Sequence, residues 1–214
     1  MRIVDFTHTI EPEMPVYPGT EPPKLRLANS YEKDGFKETL LEMYSHTGTH
    51  MDAPAHIFPD CPSLDGLPAA QFVGQGLVID CSDAKVGDIL DMKRLEAVRP
   101  LADQADFLLF RTGWDRFWGQ SEYYGEYPVI GPDVVEYLIA SEKKGIGLDV
   151  IGVDPIRDQM LSIHRQLLRD GNKVIIENLT NLAAAGEGLF TFCALPLKYV
   201  HADGSPIRAI GILP

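Results

Sequence analysis

The stretch "GPDVVEYLIASEKKGIGLDVIGVD", residues 131–154, passes from a helical pattern into a strand-like one. Pro132 opens the predicted helix, Lys143 and Lys144 stand in its last turn, and Gly145 lies just beyond them. "LDVIGVD" then reads as a buried strand. The same alternation extends to both sides. Upstream, "GLVIDCS" and "DFLLFRTG" read as strands around a helical "ILDMKRLEAVRP" that ends at Pro100. Downstream, "SIHRQLLRDG" reads as a helix, with Ser162 a candidate N-cap and Gly171 a candidate C-cap, and "KVIIENL" as a strand.

Further out, the pattern becomes antiparallel. "RIVDFTHTI" is a short strand, and five prolines in the thirteen residues "EPEMPVYPGTEPP" force an extended loop. Residues 24–31 and 37–46 flank Asp34-Gly35, which is hairpin turn chemistry. "FTFCALPLKYV", the turn "HADGSP" and the strand "IRAIGIL" form a closing pair. An antiparallel start and finish around a βαβ middle predict an α/β fold, a mixed β-sheet with packed helices, in a single domain over residues 1–214.

Composition narrows the function. A formal charge of −12 argues against nucleic acid, which needs clustered Lys and Arg, and "DMKRLEAVR" is the densest basic stretch. No run reaches the eighteen apolar residues of a membrane span, and "MRIVDFTHTIEPEMP" has no secretory pattern. Three scattered cysteines, Cys61, Cys81 and Cys193, fit small buried hydrophobes kept reduced in a cytoplasm better than a disulfide framework. "GQGLVI", "GIGLDV" and "GEGLF" complete no dinucleotide or P-loop motif, and no G-x-S-x-G is present. Trp114, Trp118, Tyr123, Tyr124 and Tyr127 read as packing or dimer-contact residues before a pocket cover, and His8 and His201 as surface or hydrogen-bonded residues.

The unusual feature is "SHTGTHMDAPAH", residues 45–56, which holds three of the six histidines. His46, His50, Asp52 and His56 all fall on even positions, so in an extended chain they project to one face. Imidazole nitrogen and carboxylate oxygen suit zinc first and manganese second, whereas magnesium or calcium calls for more oxygen. Gly48 permits a close backbone approach, and Pro54 stiffens the segment before His56. Downstream, His164 in a predicted first helical turn and Glu177 at the end of "VIIE" are further candidate ligands.

"HTGTHMDAPAH" resembles the H-x-G-T-H-x-D-x-P-x-H signature of the metal-dependent cyclase family, which includes bacterial kynurenine formamidases and isatin hydrolases. "DFTHTIEPEMPVYPG", "FRTGW", "GVDP", "IIENL" and "ALPLKYVHADGSPIRAI" extend the resemblance over nearly the whole chain. It implies a swivelling β/β/α fold, a homodimer or higher homo-oligomer, and a site of one or two ions, zinc or manganese. It implies His46, His50, Asp52, His164 and Glu177 as metal ligands, with Asp52 a candidate bridge, and His56 as general acid/base. Tyr17 stands where the family's formamidases carry tryptophan.

The implied reaction is hydrolysis of an amide, formamide (N-formylkynurenine-like) or cyclic amide by metal-activated water. Two rivals stay open: a metal-assisted cyclase or dehydratase, separated by whether water is added to the substrate, and a non-catalytic metal-binding protein, favoured by a closed coordination shell.

Overall fold

The computed structural model describes residues 1–214. Strand β1 (Arg2–Asp5) leads through the proline-rich loop to a hairpin of β2 (Lys24–Asn29) and β3 (Glu38–Glu42), joined by the one-turn helix α1 (Tyr31–Asp34). The expected Asp34-Gly35 turn is therefore helical. Ser30 Oγ accepts from the Lys33 N–H, and Gly35 leaves the turn at φ 76, an angle open to a residue without Cβ.

Strand β4 is only His50–Asp52, and β5 (Val73–Asp80), β6 (Ile89–Leu90), α2 (Lys93–Glu96), α3 (Arg99–Ala102) and β7 (Phe107–Arg111) follow. Then come β8 (Val129–Ile130), α4 (Pro132–Ala140), β9 (Gly145–Leu148), α5 (Ser162–Leu168) and β10 (Val174–Glu177). The chain ends in β11 (Phe190–Pro196) and β12 (Gly204–Leu213).

Eight strands form one sheet in the order β1-β12-β11-β5-β7-β9-β10-β4. The pairs β5–β7, β7–β9 and β9–β10 are parallel and the rest antiparallel, giving the expected mixed sheet. Strand β12 offers successive segments of one edge to two partners, Ile210–Leu213 to β1 and Gly204–Pro206 to β4. Because β4 also pairs with β10, the sheet closes on itself, which removes most of its exposed edges.

The two-residue alternation sorts the strands into two cores. Phe107, Leu109, Ile176, Phe192 and Met51 form one cluster inside the ring. Leu108, Phe110, Ile146 and Ile175 form the other, covered by Val134 and Leu138 of α4 and Leu167 of α5. Each such burial contributes roughly 1.5–3 kcal/mol of transfer free energy, so packing rather than propensity holds these short helices. On the inner side of β9 there is no room for a side chain: a Cβ at Gly147 would come 2.6 Å from Leu179 and 2.7 Å from Leu109.

Several local expectations change in the folded chain. The predicted strand "LDVIGVD" is displaced to Gly145–Leu148, because Asp149 turns out of the sheet to accept from the backbone N–H groups of Thr112 and Gly113. Helix α4 stops at Ala140, and Lys143 and Lys144 lie beyond it, drawn to the carbonyls of Ala105 and Val73. "ILDMKRLEAVRP" breaks into a short strand and two single helical turns, and Pro100 sits in the first turn of α3 rather than ending a helix.

Ser162 does not cap α5. Leu161 precedes the helix at φ 53, and Asp158 and Asp154 accept the first N–H groups. Gly171 bends the chain three residues past the helix end, at φ 71. Strand β12 begins inside the predicted turn "HADGSP". Cys81 is buried, Cys61 and Cys193 are partly buried, and none is bridged. No helix is long and apolar enough to cross a membrane.

Candidate metal centre

Strand β4 lies antiparallel to β10, with Glu177 opposite His50 and Ile175 opposite Asp52. Met51 and Ile176 point into the inner core, so His50, Asp52 and Glu177 project to the other face. Period-two spacing explains only His50 and Asp52. His46 precedes the strand, with Gly48 between them at φ 66, and His56 closes a 3-10 turn begun by Pro54. Turns therefore bring the outer two histidines in, as a strand running into an irregular loop would. His164 enters from the first turn of α5, whose N-terminus meets the C-terminal end of β10.

All six predicted residues converge. Asp52 Oδ1 is 2.6 Å from His46 Nδ1 and 3.3 Å from His50 Nε2, while Asp52 Oδ2 is 3.4 Å from His164 Nε2. Glu177 lies 3.5 Å from His50 Nε2 and 3.3 Å from His164 Nε2. The His56 ring is 4.1 Å from that of His46, centroid to centroid. The donor atoms fall into three groups, of which two share Asp52 (His46, His50 and Asp52, and Asp52, His164 and Glu177) and the third joins His46 to His56 and Asp203.

Ring orientation is set from behind. His50 Nδ1–H donates to the Gly48 carbonyl at 2.8 Å, and His164 Nδ1–H to Asp154 Oδ2 at 2.6 Å. The backbone carbonyl can only accept, and Asp154 accepts as a carboxylate, so both rings turn Nε2 toward Asp52 and Glu177. Asp154 also accepts the backbone N–H groups of Ile163 and His164, locking α5 to its own histidine. Glu177 Oε1 accepts from the Val153 N–H at 2.7 Å.

The electrostatics centre on Asp52. Burial alone would raise its pKa, but His50 and His46 outweigh that and hold it well below the usual carboxylate range. Burial likewise opposes charge on His46, yet Asp52 and Asp203 raise it to about 10. For His164 too, burial is outweighed, by Asp154, Asp52 and Glu177, and the shift is upward. Nitrogens held in this way must shed protons before they can take a cation, so metal binding here is coupled to proton release. His56 goes the other way, its pKa lowered chiefly by burial.

Asp52 Oδ2 is the observation that tests a metal against this donor set. It is buried and makes no hydrogen bond, a costly state for a carboxylate oxygen. A divalent cation between the two donor groups would satisfy it, and three imidazoles with two carboxylates are its usual ligands. The residues present fit such an ion. The centre opens on a cavity of about 250 Å³ walled by Pro15, Val16, Ile151 and Leu161. Tyr17 stands at its edge, its phenol pKa raised by burial and by Glu177.

Sequence reasoning missed three contributors. Asp203 accepts from His46 Nε2 at 3.0 Å and lies 4.0 Å from His56 Nδ1. It was hidden in "HADGSP", where Asp-Gly signals a turn. Asp154 stood in "GVDP" without a predicted role, although an acid at a strand end is the available signal. Gly204, beside Asp203, leaves the space that the His46 imidazole fills, since a Cβ there would overlap the ring. His8 also departs from expectation. Its ring stacks on Trp118 at 3.8 Å, its Nε2 is buried without a hydrogen bond, and burial lowers its pKa to about 4. Trp114, Tyr123 and Tyr127 pack in the outer core.

Similarity to known proteins agrees with the geometry. The Cyclase family model matches residues 4–155. Kynurenine formamidase of Bacillus cereus is 32% identical over 209 residues, covering 97% of this chain and 95% of that protein. Isatin hydrolase A from Labrenzia aggregata superposes with a TM-score of 0.87 at 27% identity, covering 99% of this chain and 93% of that one. A potential metal-dependent hydrolase with cyclase activity superposes at 0.78 with 26% identity, covering 98% of this chain and 96% of that one. By the family match over residues 4–155 and the 32% identity to a relative covered almost end to end, the chain belongs to the Cyclase family.

Proposed function

We propose that this chain is a metal-dependent hydrolase of a small amide, formamide or cyclic amide. The observation that carries the reading is the buried Asp52 Oδ2, without a hydrogen bond, between two donor groups that open on a cavity. His46, His50, Asp52, His164 and Glu177 would hold the cation, zinc before manganese, and the sharing of Asp52 supports room for two ions. A bound cation supplies Lewis acidity, acidifying water and polarising a carbonyl.

The protein's own groups do the rest. His56 stays neutral to lower pH than a free imidazole, so it is poised to take a proton from the attacking water. Oxygen adds to the carbonyl carbon, the C–N bond breaks, and the same ring returns the proton to the departing nitrogen. Asp203 Oδ2 lies within reach of the His56 ring and would orient it. The cavity volume sits near the low end of small-molecule sites, which favours a compact aryl or cyclic amide. The kynurenine formamidase and isatin hydrolase relatives support this reaction class.

A homodimer accompanies this reading. The β2–β3 hairpin is exposed along its length, and Leu25, Leu27, Tyr31, Phe36, Leu40 and Leu41 are each 38% to 69% exposed. An isolated two-stranded hairpin is marginal in water, and a second copy of the chain would cover it.

The test is to reconstitute the protein with zinc or manganese and screen N-formylkynurenine, isatin and simple formanilides, with products identified by mass. A product heavier by one water, or its two fragments, is expected. Loss of water from the substrate would instead favour a dehydratase, and inertness at full metal loading a non-catalytic role.

A further inference from the structure

Behind His50 lies a buried amide that the reaction just described does not use. Asn178 is 5% exposed and holds φ 56. Its Nδ2 donates to the Gly48 carbonyl at 2.9 Å, and its Oδ1 accepts from the Tyr123 hydroxyl at 2.7 Å. Its own carbonyl accepts from Thr49 Oγ1 at 2.6 Å. The Gly48 carbonyl is also the acceptor for His50 Nδ1–H. Since that carbonyl can only accept, the amide has one workable orientation: Nδ2 faces Gly48, Oδ1 faces Tyr123, and the phenol donates.

We propose that Asn178, clamped by Tyr123, is a positioning residue that fixes the tautomer of His50 by pinning the Gly48 carbonyl. Two carboxylates lie near His50 Nε2, Asp52 at 3.3 Å and Glu177 at 3.5 Å. Left to these neighbours, a neutral ring would carry its proton on Nε2 and donate it to one of them. The Gly48 oxygen draws the proton to Nδ1 and leaves the Nε2 lone pair free. Gly48 stands at φ 66, where a glycine peptide is free to rotate. Asn178 removes that freedom, because rotating the carbonyl away would strand a buried amide N–H and break the Tyr123 link. Asparagine suits both demands, since it tolerates the left-handed backbone angle and its carboxamide presents a donor and an acceptor at once. The tautomer is a property of the chain itself; its consequence for metal affinity rests on the function proposed above.

Asn178→Gly tests this, because glycine keeps the backbone angle and deletes only the amide, and Tyr123→Phe removes the clamp while leaving Asn178 in place. Imidazole nitrogen shifts of His50 are read by long-range proton–nitrogen correlation in metal-stripped protein at pH 8, and zinc affinity by chelator competition. The wild type is expected to show His50 protonated on Nδ1. Asn178→Gly should move the proton substantially to Nε2 and weaken zinc binding about 10-fold, with Tyr123→Phe shifting both in the same direction. An Asn178→Gly protein that keeps the Nδ1 proton, or binds zinc within about twofold of wild type, overturns the proposal. Unchanged zinc affinity in His50→Ala would instead overturn the ligand assignment, which separates the two failures.

Discussion

Asp52 is the residue on which the centre turns. Its two oxygens face different partners, Oδ1 toward His46 and His50 and Oδ2 toward His164, so one buried carboxylate serves both donor groups. His50 and His56 differ in kind despite their shared motif. The His50 side chain is 5% exposed, with its Nδ1 committed to a backbone carbonyl, whereas the His56 side chain is 27% exposed and its nearest acid is the surface-reaching Asp203. His56→Ala is therefore expected to keep its metal while turnover falls by about 10²–10⁴-fold. His50→Ala should lose metal and activity together. Metal content by elemental analysis beside turnover checks both, and equal metal loss in the two variants would make His56 a ligand.

At the scale of elements, the site depends on short pieces tied down by acids. Helix α5 has seven residues, too few for stability of its own, and Asp154 supplies both its cap and its histidine clamp. Asp149 plays a related part between β7 and β9, accepting from the Thr112 N–H, the Thr112 hydroxyl and the Gly113 N–H. Burial nevertheless raises its carboxyl from 3.8 to about 6, against the pull of those hydrogen bonds. The folded chain thus binds this proton more tightly than the unfolded one. Its stabilising contribution is complete below about 3.8, declines as pH rises, and is gone above about 6, a difference of about 3 kcal/mol. Urea unfolding of wild type and Asp149→Asn, from pH 4 to pH 7 at equal metal content, should show wild type losing ground to the variant as pH rises. A difference independent of pH refutes it.

At the scale of the whole molecule, ring closure through β12 explains why residues from both ends of the chain meet. Strand β12 pairs with β4 just after Asp203, which puts that acid beside His46. The hairpin stands outside this ring and makes its own two-stranded sheet. Leu25 is paired with Leu41 across it, and Leu27, two residues on, shares their face. Leu27→Glu together with Leu41→Glu is expected to convert a dimer into a monomer in sedimentation at micromolar concentration. Wild type sedimenting as a monomer under the same conditions would remove the assembly proposed for this face.

The amino-acid order alone determined the alternation that makes a mixed α/β sheet, and it offered the candidate donor set, because "HTGTHMDAPAH" places imidazoles and a carboxylate at ligand spacing within one short segment. Their places at a helix start and a strand end only suggested His164 and Glu177, and the family resemblance implied them as ligands. Only the tertiary structure decided the closing of the sheet, the limits of the short elements, and the parts of Asp203, Asp154 and Asn178. The reason is physical. Periodicity and turn chemistry are local, and they report which face a residue takes and where a chain bends. The pairing of β4 with both β10 and β12, and the capture of a side chain by a carbonyl more than a hundred residues away, as Asn178 captures Gly48, arise from packing that no window of sequence contains.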